Sequence, residues 1–368
     1  MERFGMLIDG RLVPGALTLD VVNPATEEVL AVAPRADRAQ LDQAVAAAKA
    51  AFPAWSALPV AERGRYLTRL ADALEKKKGE FARRLTEEQG KPLPHAAGEV
   101  AGAIGVLRYF AGLDLPVKVL IDSDTQKVVQ HRTPLGVVAA IMPWNFPMLL
   151  IVMKVAPALL AGNTVIAKPA PTTPLTALKF GELCVDILPP GVLNFIVDQN
   201  DLGGALTSHP DVAKVSFTGS TATGKKVMES VAATLKRITL ELGGNDAAIV
   251  LDDADPKQVA PKVFAGAMTN SGQVCLAIKR LYVHDSQYDA MCAELGRLAR
   301  EIIVDDGLKQ GTQLGPLQNK MQYEKVKGFL EDARRNGTIV AGGEAYDRKG
   351  YFIQPTIVRD SPDDSRLV

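Results

Sequence analysis

Between residues 137 and 241 the sequence alternates short apolar segments with longer segments of helical periodicity, and this alternation constrains the fold most strongly. The apolar segments predict strands over 137–141, 164–167, 192–197, 214–217 and 237–241. The segments between them predict helices over 148–161, 175–187 and 223–235. Strands and helices at this spacing form a parallel sheet covered by helices, which predicts an α/β fold.

Polar side chains stand at or just past several of these predicted strand ends. They are Asn145, Lys168, Ser220 and Glu241. In parallel sheets of this class, ligands bind beyond the carboxyl ends of the strands. We therefore expect these four side chains to lie along one rim of the sheet.

Helical periodicity also runs over 37–53 and 61–89, where Leu67, Leu70 and Leu74 share one stripe and Gly90-Lys91-Pro92 is a stop signal. Residues 117–132 predict a hairpin that turns at Asp122-Ser123-Asp124, and sequence alone slightly favours a plain surface hairpin. An apolar segment over 247–251 predicts another buried strand, and we expect a second domain to begin near Leu242.

The charge balance and the distribution of apolar residues exclude several classes of protein. With 42 Lys plus Arg against 42 Asp plus Glu, the chain gives no electrostatic reason to bind nucleic acid or an anionic membrane. The apolar run over 137–153 approaches the length of a membrane span, but Pro143, Asn145 and Pro147 interrupt it. A buried strand, a loop and a helix start explain this run better. The first residues carry no apolar secretory signal.

Cysteine and histidine usage indicates a reduced, metal-free protein. The three cysteines, Cys184, Cys275 and Cys292, have no metal-ligand spacing, and their odd number favours a reducing, cytoplasmic compartment. Cys184 and Cys292 fall in amphipathic helical stretches, so we expect them to be packing residues. The four histidines are scattered, which argues against a zinc site or a Ser-His-Asp hydrolase.

Cys275 and Glu241 together suggest covalent catalysis on a carbonyl group. A thiolate attacks carbonyl carbon readily, and a carboxylate can later activate the water that releases the acyl group. Either residue alone is weak support, because a single cysteine is usually inert packing and a carboxylate at a strand end is usually a surface group. Their flanks, Asn270-Ser271-Gly272-Gln273-Val274 and Leu240-Glu241-Leu242-Gly243-Gly244, are more informative.

These flanks and three further signatures resemble the aldehyde dehydrogenase superfamily. The further signatures are Pro143-Trp144-Asn145-Phe146-Pro147, Phe217-Thr218-Gly219-Ser220 and Tyr351-Phe352-Ile353-Gln354-Pro355-Thr356, with Val21-Val22-Asn23-Pro24-Ala25-Thr26 near the start. Several signatures in the right order are far more specific than one. The resemblance implies oxidation of an aldehyde to a carboxylic acid through a thiohemiacetal on Cys275, with the hydride passing to NAD or NADP.

The resemblance also implies roles for the other site residues. Asn145 would stabilise the oxyanion beside the backbone N–H of Cys275, although an Asn here could equally cap the helix that begins near Pro147. Glu241 would be the general base, and its presence favours hydrolysis to a free acid over transfer to coenzyme A. Lys154 would take part in proton relay, with an exposed helical lysine as the alternative.

The cofactor residues implied by the resemblance do not depend on a G-x-G-x-x-G motif, which is absent after the predicted strands. The turn Gly219-Ser220-Thr221-Ala222-Thr223-Gly224 leads into a helix whose first N–H groups can meet a pyrophosphate, although such a turn is most often just a helix cap. Lys168 would bind the adenosine ribose. Trp144, Leu242 and Gly243 would also contact the cofactor.

Taken together, these expectations give a Rossmann-like dinucleotide-binding domain over 1–116 and 134–241, and an α/β catalytic domain over 242–368 with the active site between them. The resemblance implies that the hairpin over 117–133 is an oligomerisation arm, and that the complete enzyme is a homodimer or homotetramer.

The chain departs from the family pattern at two places. Pro171 stands where the family often has a Glu that favours NAD, so the choice between NAD and NADP stays open. The sequence also ends at Val368, before the family's Glu-Glu-x-Phe-Gly-Pro segment, which predicts an incomplete catalytic domain. Two alternatives follow. One is a non-catalytic dinucleotide-binding or assembly protein of this fold, and the other is residual, cofactor-free ester hydrolysis by the thiol.

Overall fold

The structure, a computed structural model, describes residues 2–368 and contains two compact units. The first comprises the chain up to Val21, Ala31–Ala82 and Ala97–Glu241. The second comprises Val22–Leu30, Arg83–Ala96 and Leu242–Val368.

The elements follow one another along the chain with few long loops. The strands are β1 (Met6–Ile8), β2 (Arg11–Val13), β3 (Leu17–Asn23), β4 (Glu28–Arg35), β5 (Lys118–Asp122), β6 (Lys127–Gln130), β7 (Val137–Ile141), β8 (Thr164–Lys168), β9 (Leu193–Phe195), β10 (Val212–Gly219), β11 (Arg237–Leu242), β12 (Ala247–Val250), β13 (Arg280–Val283), β14 (Thr338–Ala341) and β15 (Ile357–Arg359). The helices are α1 (Arg38–Ala57), α2 (Val60–Lys76), α3 (Lys78–Gln89), α4 (Leu93–Ala111), α5 (Pro147–Leu160), α6 (Leu175–Val185), α7 (Gly203–Ser208), α8 (Thr221–Ala232), α9 (Pro256–Met268), α10 (Asp285–Glu301) and α11 (Lys320–Asn336).

The first unit is built on a five-stranded sheet in the order β11-β10-β7-β8-β9. The registers of β10 with β7, β7 with β8 and β8 with β9 are parallel, as the alternating pattern predicts. Strands β7 and β8 are buried at every residue, and α1 and α5 both pack against them. The continuous apolar runs that predicted these strands are therefore explained by cover on both faces.

The helical stretch predicted over 61–89 is two helices, which corrects the sequence prediction. The break falls at Lys77, whose backbone N–H turns back to the carbonyls of Leu74 and Glu75. Periodicity persists across the break because Leu74, Phe81 and Leu85 are all buried. Apolar spacing alone therefore could not show the break.

The second unit has a core of its own between α9, α10 and strand β12, where Val250, Phe264, Met291 and Leu295 are buried. Strand β12 is parallel to β13, and β14 is antiparallel to β15.

Two early segments of the chain belong to the second unit. Tyr351 N–H donates to the carbonyl of Pro24 at 2.9 Å, and the Gln318 amide donates to the carbonyl of Glu88 at 3.1 Å. Gly315 lies so close to the carbonyl of Gly90 that no side chain fits there. One unit boundary falls between Glu241 and Leu242, whereas the two early segments lie within the range 1–116 that was predicted for the first domain, and their places had no sequence signal. The assignment of the units as a dinucleotide-binding domain and a catalytic domain stays a prediction.

Strands β5 and β6 form the predicted antiparallel hairpin. Its turn is closed by Ser123 N–H donating to the carbonyl of Gln126 at 2.9 Å. Val119 and Leu120 are more than half exposed, at 53% and 60%. The use of this hairpin in oligomerisation stays a prediction.

No single helix within residues 2–368 is long and apolar enough to cross a membrane. Helices α1 and α2 reach that length and hydropathy only when taken together, and they bend by 119° at the break between them. The apolar run over 137–153 is strand β7, a loop and the start of α5, as the sequence predicted.

Candidate active site

The carboxyl end of the first unit's sheet carries the polar residues that the sequence placed there. Asn145 lies in the loop after β7, Lys168 is the last residue of β8, and Ser220 directly follows β10. Glu241 is the penultimate residue of β11 and is exposed. Trp144, beside Asn145 in the same loop, is half-buried.

Asn145 does not cap helix α5. The residue at the cap position is Phe146, and it makes no side-chain cap. The first turn is capped instead by Glu99 of α4, whose Oε1 accepts from Met148 N–H at 2.9 Å and from Leu149 N–H at 3.1 Å. The Oδ1 atom of Asn145 accepts from Phe146 N–H at 3.1 Å, which fixes the side chain with its oxygen turned toward the backbone. The capping interpretation of Asn145 is therefore wrong.

Lys154 extends from α5 toward the sheet and does not lie on the helix surface. Its Nζ donates to Ser216 Oγ of β10 at 3.1 Å. Burial lowers the pKa of Lys154 from its ordinary 10.5 to about 8, and the nearby carboxylate of Glu241 opposes this only in part. The alternative of an exposed helical lysine is wrong, because the structure brings Lys154 and Glu241 within electrostatic range.

A second lysine adds to the charge on this face of the sheet. Lys214 lies two residues before Ser216 on β10, so the two side chains share a face. Its Nζ donates to Thr239 Oγ1 of β11 at 2.7 Å. Lys214 also lowers the pKa of Lys154, and its own pKa is lowered mainly by burial. Lys154 is therefore tuned by burial and by a like charge, with Glu241 as the opposing anion.

The turn between β10 and α8 has the form of an anion-binding site. Ser220 is the cap, since its Oγ accepts from Thr223 N–H at 3.2 Å. The N–H groups of Thr221 and Ala222 have no acceptor within the helix, and both residues are exposed. Gly224 N–H is bonded to the carbonyl of Ser220, which closes the first turn. The cap and the exposed N–H groups coexist, so the two predicted roles of this turn are compatible.

Gly219 is required at this turn by close packing. A Cβ atom built there would lie 2.5 Å from the ring of Phe217, which is itself 5% exposed. The backbone at the helix entrance is therefore held directly over a buried aromatic ring. A larger residue would require either the turn or the Phe217 ring to shift.

Lys168 is held in a buried ion pair. Its Nζ lies 2.5 Å from Oδ1 of Asp198, and the two side chains are only 5% and 0% exposed. The other oxygen, Oδ2, accepts from Leu202 N–H at 3.0 Å.

In the second unit, Leu242, the last residue of β11, is half-buried, and Gly243 after it is exposed. Cys275 is exposed and follows a tight turn over Thr269–Gly272. Asn270, Ser271 and Gly272 have positive φ angles of 53°, 57° and 75°. Such conformations cost of order 1 kcal/mol or more for residues other than glycine.

Several hydrogen bonds hold this turn in its strained form. Ser271 Oγ donates to the carbonyl of Gly315 at 2.8 Å. The Gln273 side chain donates to the carbonyl of Asn270 at 2.9 Å and accepts from Gln318 N–H at 2.9 Å. The backbone before Cys275 is therefore fixed by its surroundings.

The environments of the three cysteines, all of them unpaired, separate Cys275 from the other two. Cys184 on α6 is buried and Cys292 on α10 is half-buried, and burial raises the pKa of both thiols. Both lie in helices, as predicted for packing residues. Cys275 alone is exposed. Among residues 2–368, no group of three or more His, Cys, Asp or Glu could hold a metal ion.

Sequence reasoning missed three residues of this region: Glu99, Ser216 and Asp198. Glu99 is 49 residues from the helix turn that it caps, and Asp198 is 30 residues from Lys168. The only available signal was Asp198 itself, an acidic residue directly after the apolar run predicted over 192–197.

Comparison with known proteins covers nearly the whole chain. The profile of the aldehyde dehydrogenase family matches residues 13–368. A probable aldehyde dehydrogenase of a Pseudomonas species is 42% identical over 363 residues, which are 98% of this chain and 74% of the relative.

Solved structures agree with this match. The NAD+ complex of aldehyde dehydrogenase from Bacillus cereus has a TM-score of 0.97 at 36% identity, covering 100% of this chain and 77% of that one. An NADP-dependent enzyme of E. coli has a TM-score of 0.96 at 37% identity, covering 99% and 78%.

Proposed function

The chain belongs to the aldehyde dehydrogenase family, which oxidises aldehydes with NAD or NADP, and from that premise we propose which of its residues carry the reaction. Cys275 is the nucleophile. The observation that carries this proposal is that Cys275 is the exposed cysteine and follows a turn held by hydrogen bonds, whereas burial raises the pKa of the other two thiols.

The first step forms a bond between the Cys275 sulfur and the carbonyl carbon of the aldehyde, while the carbonyl π electrons move to oxygen. The oxyanion needs donors that are positioned in advance. Asn145 supplies its amide NH2 as a donor, while its Oδ1 accepts from Phe146 N–H. Glu99 supports this role by holding the start of α5, directly after the Asn145 loop.

Loss of hydride from the same carbon converts the thiohemiacetal to a thioester on Cys275. Bound NAD or NADP supplies the acceptor for this hydride. Water then attacks the thioester, the carbon–sulfur bond breaks, and the thiolate leaves with the acid as product. Glu241 takes the proton from this water as general base.

Lys154 holds or moves a proton near Glu241. Its pKa of about 8 lies close to neutral pH, so both forms of the amine are accessible. Ser216 Oγ, 3.1 Å from Lys154 Nζ, orients the amine.

The first unit fits a dinucleotide at the rim of its sheet. The exposed N–H groups at the start of α8 suit a pyrophosphate, and its first turn carries no acidic residue to repel one. Gly219, where a Cβ would strike Phe217, keeps the turn close to its ligand. Lys168 lies at the end of β8, two strands from β10 in the same sheet, and is proposed to bind the adenosine ribose. Trp144, Leu242 and Gly243 are proposed to contact the cofactor as well.

Replacing the nucleophile tests the proposal. In the full-length protein, Cys275→Ala should lower kcat for NAD(P)-dependent oxidation of a panel of aliphatic and aromatic aldehydes by at least about 1,000-fold. The matched control is Cys292→Ala, which removes a half-buried thiol and should retain most of the activity. Aldehyde oxidation by Cys275→Ala at the wild-type rate would show that another residue is the nucleophile.

A further inference from the structure

The buried ion pair between Lys168 and Asp198 bears on the choice between NAD and NADP. The two cofactors differ by a phosphate on the adenosine ribose, which carries a charge of roughly −1.5 to −2 at neutral pH. A lysine at the ribose would attract that phosphate if its charge were uncompensated. Pro171, three residues after Lys168, brings no carboxylate that could exclude it.

In this chain the charge of Lys168 is already compensated. Its Nζ lies 2.5 Å from Asp198 Oδ1, and both side chains are almost completely removed from water. Screening by solvent is weak at such a site, so the pair presents almost no net charge to a neighbouring group. A phosphate placed beside it would gain little from the lysine and would be repelled by the aspartate behind it.

We propose that Asp198 is a specificity-determining residue that, by neutralising Lys168, makes the ribose subsite select NAD over NADP. This inference rests on the proposed function, which places Lys168 at the adenosine ribose. Asp198 is fully buried and does not touch the cofactor, so it acts through Lys168 as a positioning residue. The uncharged 2′-hydroxyl of NAD needs only a hydrogen-bonding partner, which the paired ammonium still provides.

A second hydrogen bond, to the carboxylate oxygen that does not contact Lys168, also holds Asp198 in place. Oδ2 accepts from Leu202 N–H at 3.0 Å, so both carboxylate oxygens are engaged. The carboxylate therefore cannot swing away to admit a second anion without breaking a buried hydrogen bond.

To test this inference, the dissociation constants of NAD+ and NADP+ are measured by titration calorimetry for the wild-type protein and for Asp198→Asn. The wild type should bind NAD+ more tightly. Asp198→Asn should tighten NADP+ binding by roughly tenfold or more, equivalent to about 1.4 kcal/mol, while NAD+ affinity changes little. The asparagine can still accept from Leu202 N–H, so the loop keeps its hydrogen bond.

Two further variants separate this effect from general changes in charge. Asp201→Asn removes a carboxylate of the same loop that pairs with Arg35 and should leave the ratio of the two constants unchanged. The double variant Lys168→Met with Asp198→Asn removes both charges. Its ratio of NAD+ to NADP+ dissociation constants should therefore stay near the wild-type value. A merely structural role for Asp198 would weaken binding of both dinucleotides equally.

The outcomes distinguish the inference from the proposed function. Equal affinity of the wild type for both dinucleotides, or an unchanged ratio in Asp198→Asn, overturns the inference. The wild-type ratio provides this test even if Asp198→Asn does not fold. Failure of the wild type to bind either dinucleotide would instead overturn the proposed cofactor site.

Discussion

Lys154 shows how burial prepares a single residue for chemistry. The amine is withdrawn between α5 and the sheet, where its charged form is poorly solvated, and Lys214 on β10 disfavours that charge further. Glu241 offsets only part of this cost. The result is a lysine that exchanges its proton near pH 8, beside the residue proposed as the base.

Because the pKa of Lys154 is lower in the folded state, the free energy of unfolding should depend on pH in a defined direction. Below about pH 8 both states carry the proton, and the folded state bears the cost of burying the charge. Between about 8 and the ordinary 10.5, only the unfolded state binds the proton, so stability rises with pH. Lys154→Met should therefore be more stable than wild type at pH 7, by at most a few kcal/mol, since one pKa unit is about 1.4 kcal/mol.

Chemical denaturation at several pH values measures this difference. The advantage of Lys154→Met should shrink steadily from pH 8 to 10.5. Lys225→Met, which removes an exposed lysine of α8, is the control. A difference between wild type and Lys154→Met that is constant over this range would contradict a lowered pKa.

At the scale of elements, the entrance to α5 links the fold to the oxyanion site. Its first N–H groups are capped by a buried carboxylate from α4, and the helix starts at Pro147, where a missing N–H costs nothing. The loop that carries Asn145 is therefore fixed between a buried strand, β7, and a capped helix.

Removing the cap should loosen this loop. Glu99→Ala leaves Met148 and Leu149 N–H groups without their partner, which should cost about 1–3 kcal/mol of stability. It should also lower kcat by about tenfold or more, because small displacements of positioned groups are costly. Glu99→Gln keeps a carbonyl acceptor and should therefore retain most of the wild-type stability and most of the wild-type kcat.

Thermal unfolding and steady-state kinetics on the same samples check this pair of effects. Glu80→Ala, on the exposed face of α3, serves as the matched control for loss of a glutamate. Unchanged stability and kcat in Glu99→Ala would show that Asn145 is positioned by other contacts.

The sheet and the polar residues at its edge could be predicted because each buried strand is a short apolar segment of the sequence, which is a local signal. Strand β7 ends at Ile141, shortly before Asn145, and Lys168 directly follows the predicted strand 164–167, so both polar residues could be placed at strand ends without tertiary information. The cap of α5 by Glu99 and the pairing of Lys168 with Asp198 could not be predicted, because each contact joins segments that are 49 and 30 residues apart along the chain. The strained turn before Cys275 was equally hidden, since its hydrogen bonds come from Gly315 and Gln318.

At the scale of the whole molecule, the proposed residues are divided between two units with separate cores. Asn145, Lys154 and Glu241 belong to the first unit, and Cys275 belongs to the second. The first unit supplies the sheet rim proposed to bind the dinucleotide, and the second supplies the thiol. Whether Cys275 carries the acyl group during turnover therefore decides the proposed mechanism.

Trapping that acyl group is the most direct measurement. Glu241→Gln in the full-length protein should slow release of the thioester, so the acylated enzyme accumulates with NAD+ and the aldehyde that the wild type oxidises fastest. After acid quenching and trypsin digestion, mass spectrometry should find the acyl mass on the peptide over 263–279, which contains Cys275. An acyl group on a different peptide, or none while the variant still forms NADH, would contradict the account.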